Sequence, residues 1–225
     1  MDKQTFIQKA RELEPTFQPN DAVKARLAGL QLIAIVGPTG VGKSSIINAC
    51  KIPYVISDMT RALRTGERDG VDINQRSDYD KLWSELENGE FAQFLVAITG
   101  EFYGTKASSY PASGPCTMPI VTSALPMFKN LGFGKIITVY VVPPSLEVWQ
   151  KRIAQQATSD LEDRMVEARE SLANALDAND YIFLVNDDLG KSLEDLNSIL
   201  AGTYPPEKSL DGQKIAIELA QSLAS

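Results

Sequence analysis

The stretch LQLIAIVGPTGVGKSS, residues 30–45, decides the fold. LQLIAIV (30–36) is a short apolar run suited to a buried strand, and SSIINAC (44–50) has helical character. Between them GPTGVGKS (37–44) satisfies G-x-x-x-x-G-K-[ST] at every fixed position. Average residue usage gives that match by chance in only about 1 in 100 chains of this length. Strand, glycine turn and helix together predict a phosphate cradle. Gly37, Gly40 and Gly42 let the backbone turn so that successive N–H groups face phosphate oxygens near the positive end of a helix dipole. Pro38, Thr39, Val41 and Ser45 complete the loop, Lys43 reaches the β and γ phosphates, and the Ser44 hydroxyl is placed to ligate Mg²⁺, largely through water.

Working outward, YVIS (54–57), FLVAI (94–98), IITVYVV (136–142) and YIFLV (181–185) are further short apolar runs alternating with amphipathic segments. This rhythm predicts an α/β fold, a mostly parallel sheet flanked by helices, with the glycine turn where such sheets bind ligands. Ser77 with Asp80 predicts a capped helix through Leu82, Trp83 and Leu86, Ser145 caps another after Pro143-Pro144, and a third runs from about Asp160 to Ala178. The expected division is a helical extension at 1–28, a central domain at 29–202 with an inserted lobe at about 58–112 and a short lid at QQATSD (155–160), and a helical extension at 203–225.

Composition narrows the function classes. Of the 225 residues 29 are acidic and 22 basic, and the net charge of −7 repels nucleic-acid backbones. Arg61, Arg64 and Arg68 are a local exception on the scale of one or two phosphate groups. There is no histidine, and Cys50 and Cys116 stand far apart beside or within apolar runs, which reads as two reduced, structural thiols and leaves any metal to oxygen ligands. No run approaches the ~20 apolar residues of a membrane span, so a cytoplasmic location without membrane or nucleic-acid partners is expected. A glycine cradle alone does not separate kinases from GTPases or ATPases, although no N-K-x-D guanine motif is present.

The acceptor side carries a resemblance. SDMTRALRTGERDGVDI (57–73) resembles the acceptor-phosphate segment of guanylate kinases, S-x-T-T-R-x-x-R-x-G-E-x-x-G-x-D-Y, matching at Ser57, Thr60, Arg61, Arg64, Gly66, Glu67, Gly70 and Asp72. NGEF (88–91), YGT (103–105), VVPPSLEVWQKRI (141–153), RMVEARE (164–170) and VNDDL (185–189) follow in the family's order, from roughly Leu32 to Leu200. The resemblance implies phosphoryl transfer from ATP, with Mg²⁺, to a nucleoside monophosphate whose phosphate is held by Arg61, Arg64 and Tyr103, with GMP or dGMP the first candidate. It places Ser57, Glu67 and Thr105 in the substrate site, and has Arg164, with Arg152 assisting, stabilise the charge developing during transfer. Two guanidiniums three residues apart can both present forked donors to one phosphate dianion.

Several positions depart from the family pattern. Ile73 stands for a phosphate-binding tyrosine, Gln93 for the glutamate that reads guanine, and Thr122 and Ser123 for aspartates in the strand after Cys116. QQATSD lacks the usual R-G-T. Glutamine offers one acceptor oxygen where a carboxylate offers two, so Glu90 or Glu101 stand as alternative base-reading carboxylates. Three alternatives stay open at this point: a kinase for a different or modified base, a kinase for another small phosphorylated acceptor, and a binding module that has kept the fold without catalysis.

Overall fold

The structure is a computed structural model describing residues 1–64, 66–155 and 161–224, with the backbone alone at 161–164 and 224. In chain order the elements are α1 Lys3–Leu13, α2 Asp21–Ala28, β1 Leu30–Val36, α3 Lys43–Ala49, β2 Asp58–Met59, β3 Asn74–Gln75, α4 Tyr79–Glu87, β4 Phe91–Val96, β5 Phe102–Lys106, β6 Gly114–Pro119, α5 Leu125–Lys129, β7 Lys135–Val142, α6 Leu146–Gln155, α7 Leu161–Asp177, β8 Ile182–Val185, α8 Leu189–Ala201 and α9 Pro206–Ala224. They form two compact units, Met1–Gln31 with Pro53–Cys116 and Pro126–Lys135, and Leu32–Ile52 with Thr117–Leu125 and Ile136–Ser225. The first 28 residues thus group with the segment that carries the arginines. Among the described residues no helix is long and apolar enough to cross a membrane.

The second unit is built on a four-stranded sheet in the order β6-β1-β7-β8, with β8 parallel to β7. Six of the seven residues of LQLIAIV are buried, as expected of a strand covered on both faces. β8 is an edge strand whose Phe183 backbone groups are met by the C-terminal segment. Phe183 N donates to the Ser209 hydroxyl at 3.0 Å, and the Tyr204 hydroxyl donates to Phe183 O at 3.2 Å. That covering removes an open template for strand pairing. Val148 N donates to Ser145 Oγ at 3.3 Å, which gives α6 the cap its sequence predicts.

The first unit has its own sheet, β3-β2-β5-β4, in which β5 runs antiparallel to both β2 and β4. One face is aromatic. Phe91, Phe94 and Phe102 are buried with Leu82 and Leu86 of α4 and with Phe6, Ile7 and Ala10 of α1. A register shift between Phe91 and Gln93 lets Phe91 join Phe94 in this core although three residues separate them along the strand. The bulge leaves Gln93 opposite Thr105, on the other face.

Three local expectations shift. YVIS (54–57) forms no strand beyond an isolated bridge at Tyr54, and ladder pairing begins at Asp58 opposite Gly104. The run expected at 94–98 is strand only to Val96, because Ala97 N turns to Glu101 O at 2.9 Å and leaves Ile98 fully exposed. The cap of α4 is Asp78 rather than Ser77, its carboxylate accepting from Lys81 N at 3.0 Å.

Candidate active site

The glycine loop joins β1 to α3, and its backbone could hold few other side chains. Gly37 and Gly42 have φ of 140° and 94°, a region that favours glycine. A Cβ at Gly37 would stand 2.4 Å from Val141 O, and one at Gly42 would stand 2.3 Å from Asn186 Nδ2. Two distant side chains fix the loop from behind. Trp149 Nε1 donates to Thr39 O at 2.8 Å, and Asn186 Nδ2 donates to Val41 O at 2.7 Å. Asn186 is itself clamped, with Ser192 Oγ donating to its Oδ1 at 2.8 Å and its backbone N donating to Val142 O at 2.8 Å. Lys43 Nζ lies over the loop, donating to Gly37 O at 2.5 Å and Pro38 O at 2.8 Å. No side chain caps α3, and Ser44 and Ser45 are exposed in its first turn. Uncapped helical N–H groups, glycines that keep side chains out and a primary ammonium form a cradle suited to a polyphosphate.

The first unit gathers a second set of charged groups. Arg61 and Glu67 make a fork-to-fork pair, with Nη1 to Oε2 and Nη2 to Oε1 both at 2.7 Å. Arg64 N also donates to Glu67 Oε2 at 2.7 Å, so one carboxylate orients the Arg61 side chain and the Arg64 backbone. The Arg61 guanidinium holds the Glu67 carboxyl below the ordinary carboxylate range, while Glu67, with a smaller contribution from the Tyr103 hydroxyl, raises Arg61. Burial, reinforced by the charges of Asp72 and Glu67, pushes the neighbouring Tyr54 hydroxyl up to about 12. Arg61, Arg64, Glu67 and Tyr103 therefore share one unit, with Ser57 half-buried at the start of the same segment.

Gln93 and Thr105 stand beside this set as cross-strand partners. Gln93 Nε2 donates to Thr105 Oγ1 at 3.1 Å, and Thr105 Oγ1 shares a further hydrogen bond with the Tyr110 hydroxyl at 2.8 Å. Thr105 is fully buried and Gln93 is 5% exposed. The Gln93 Oε1 atom is buried without a hydrogen-bonding partner among the described residues. A buried amide oxygen left unmatched costs about 1–3 kcal/mol.

Residues 30–203 match the family model described as guanylate kinase. The chain belongs to the guanylate kinase family. It is 32% identical over 182 residues to the guanylate kinase of Nitrosospira multiformis, covering 75% of this chain and 84% of that one. It is 27% identical over 198 residues to that of Myxococcus xanthus, covering 83% and 93%. The crystal structure of guanylate kinase from Anaplasma phagocytophilum shares the fold, with a TM-score of 0.56 at 20% identity over 80% of this chain and 88% of that one. Members of the guanylate kinase family are nucleoside monophosphate kinases, and this chain is read as one. Helices α1, α2 and α9 lie outside the matched residues.

Other expected site residues fall elsewhere. Thr122 and Ser123 are not in a strand: β6 ends at Pro119, and the two form a turn in the second unit, with Thr122 Oγ1 accepting from Asn174 Nδ2 at 3.3 Å. Glu90 is half exposed and stands 3.4 Å from Lys106, whose ammonium lies closer to Glu85, and Glu101 is held by Lys3 and Thr60, both at 2.6 Å. Arg152 spends its guanidinium on backbone, donating to Asn186 O at 2.9 Å and Asp187 O at 3.4 Å. The Arg164 side chain and residues 156–160 of the expected lid lie outside the described residues. Trp149, Asn186 and Tyr110 carry roles that no spacing announced, although VNDDL and the segment containing Trp149 belong to the family-like pieces.

Proposed function

We propose that this chain transfers the γ phosphoryl group of ATP to GMP, giving ADP and GDP. The observation that carries this reading is the Arg61, Glu67 and Tyr103 assembly. It is a second, independently built phosphate site that an ATPase or GTPase has no need of. Loop 37–45 holds the ATP phosphates as a P-loop, with Lys43 on the β and γ phosphates. A bound Mg²⁺, held by the exposed Ser44 hydroxyl largely through water, would neutralise phosphate charge. Arg61 and Arg64 grip the acceptor phosphate with Tyr103, and Arg164 balances charge as the phosphoryl group moves. Arg152 acts at one remove, positioning the Asn186 that supports the loop. No side-chain nucleophile is needed, because an acceptor phosphate oxygen attacks the γ phosphorus in line. We place the chain in the cytoplasm, with soluble nucleotides as its partners.

Gln93 sets the base preference in this reading. With Nε2 held by Thr105, one oxygen remains to accept one N–H. Guanine and hypoxanthine both offer N1–H, adenine offers none, and the exocyclic amine of guanine goes unread at Gln93. Steady-state ADP formation with MgATP and a panel of GMP, dGMP, IMP and AMP tests this. Turnover of GMP, with IMP within about tenfold in kcat/KM and AMP far behind, is expected, and Gln93→Glu should shift the balance toward GMP by about tenfold. A preference for AMP, or no turnover of any monophosphate, would refute the reading.

A further inference from the structure

Helix α1 precedes the residues that match the family, yet it is built into the acceptor unit. Phe6 is fully buried, with its ring 5.4 Å from Phe102 and 5.7 Å from Tyr79. Packing alone would attach the helix, but a chain of polar contacts runs on from it toward the phosphate-binding side chains. Lys3 Nζ donates to Glu101 Oε1 at 2.6 Å, and the Thr60 hydroxyl donates to Glu101 Oε2 at 2.6 Å. Thr60 is meanwhile clamped to β5 twice, its Oγ1 accepting from Phe102 N at 2.9 Å and its own N donating to Phe102 O at 3.2 Å. Thr60 immediately precedes Arg61, and Phe102 immediately precedes Tyr103. The clamp therefore fixes the backbone one residue before each of two phosphate ligands.

We propose that α1 is a positioning element for the acceptor-phosphate site, acting through Lys3, Glu101 and Thr60. Without Lys3, Glu101 keeps a half-buried charge matched only by a hydroxyl, and the restraint on the strand-and-loop segment 58–61 weakens. Two further contacts brace the same hairpin, Glu14 Oε2 accepting from Val96 N at 3.0 Å and Arg11 Nη2 donating to Ala97 O at 3.4 Å. The ordering of arginine positions costs conformational entropy, and a clamp that supplies it beforehand is realised as tighter acceptor binding.

The kinetic part of this inference rests on the GMP kinase reading, so the test has two readouts. Lys3→Met, with Lys3→Arg as the rescue, is compared with wild type for amide exchange over residues 58–61 and 101–103 and for KM of GMP against KM of ATP. Lys3→Met should raise exchange there and KM for GMP by about 3-fold each, leave KM for ATP and exchange in loop 37–45 unchanged, and be largely reversed by Lys3→Arg. Exchange or GMP KM remaining at the wild-type value would overturn the positioning role and reduce α1 to a packing element. If wild type turned over no monophosphate, the function reading would fall, while the exchange comparison would still decide whether Lys3 orders the clamp.

Discussion

In the function proposed above, the donor loop and the acceptor site would bind the same chemical group by opposite means. Loop 37–45 is made of consecutive residues and works through its backbone. Its shape depends on glycines whose Cβ positions are already taken by Val141 O and Asn186 Nδ2. The proposed acceptor site would instead be assembled from side chains, among them Arg61, which pairs with Glu67, and Gln93, which donates to Thr105. A backbone cradle tolerates sequence change around it, whereas a side-chain site can be re-specified one residue at a time. That difference fits a complete G-x-x-x-x-G-K-[ST] pattern beside a Gln93 that stands where the family resemblance implies a base-reading glutamate.

The comparison can be broken most forcefully at Lys43. Lys43→Ala should lower kcat by about 10²–10³-fold while leaving the melting temperature near wild type, as read by ADP formation and thermal unfolding. A drop in stability matching the loss of activity would make the lysine a structural clip on Gly37 and Pro38 instead. On the acceptor side, Arg61→Lys keeps the charge but loses the fork, and KM for GMP should rise on the order of 30-fold with KM for ATP unchanged. Asn186→Ala should do the converse. It leaves Val41 O without its donor, so it should weaken ATP binding several-fold and cost about 2 kcal/mol of stability in a denaturant titration, with GMP affinity kept. Equal damage to both substrates from either variant would erase the distinction between the two regions.

The smallest effect concerns pH. Arg61 depresses the Glu67 carboxyl below its ordinary value of 4.5, so the stabilisation is present in full above that pH. It is lost as pH falls through the lower folded-state value, where the carboxylate finally takes up a proton. The stability difference between wild type and Glu67→Gln should therefore shrink on acidification below about 4.5, and a constant difference from pH 7 to pH 3 would show that the pair contributes nothing.

What was legible in the sequence follows the same division. β1, the glycine turn and the cap at Ser145 are readable because the signal and the structure lie within a few consecutive residues. Trp149 and Asn186 were not, since each serves the loop across 110 and 145 residues of chain through a single hydrogen bond to a carbonyl. Glu101, which the family resemblance offers as an alternative base-reading carboxylate, accepts from Lys3, 98 residues away, a contact that nothing local in the sequence signals. The strand expected at 54–57 failed where two residues of real pairing, Asp58 and Met59, outweighed the apolar character of the run before them. The N-terminal helices were recognisable as helices, but neither periodicity nor charge indicated that Phe6 would enter the aromatic core beneath the acceptor site.

The central claim is that two phosphate sites on this chain serve one transfer. Following a mixture of MgATP, GMP and the protein by ³¹P NMR tests it most directly. The account predicts paired growth of ADP and GDP resonances in equal amounts, with inorganic phosphate remaining a minor product. Inorganic phosphate accumulating in step with ADP, while GMP stays unchanged, would contradict it.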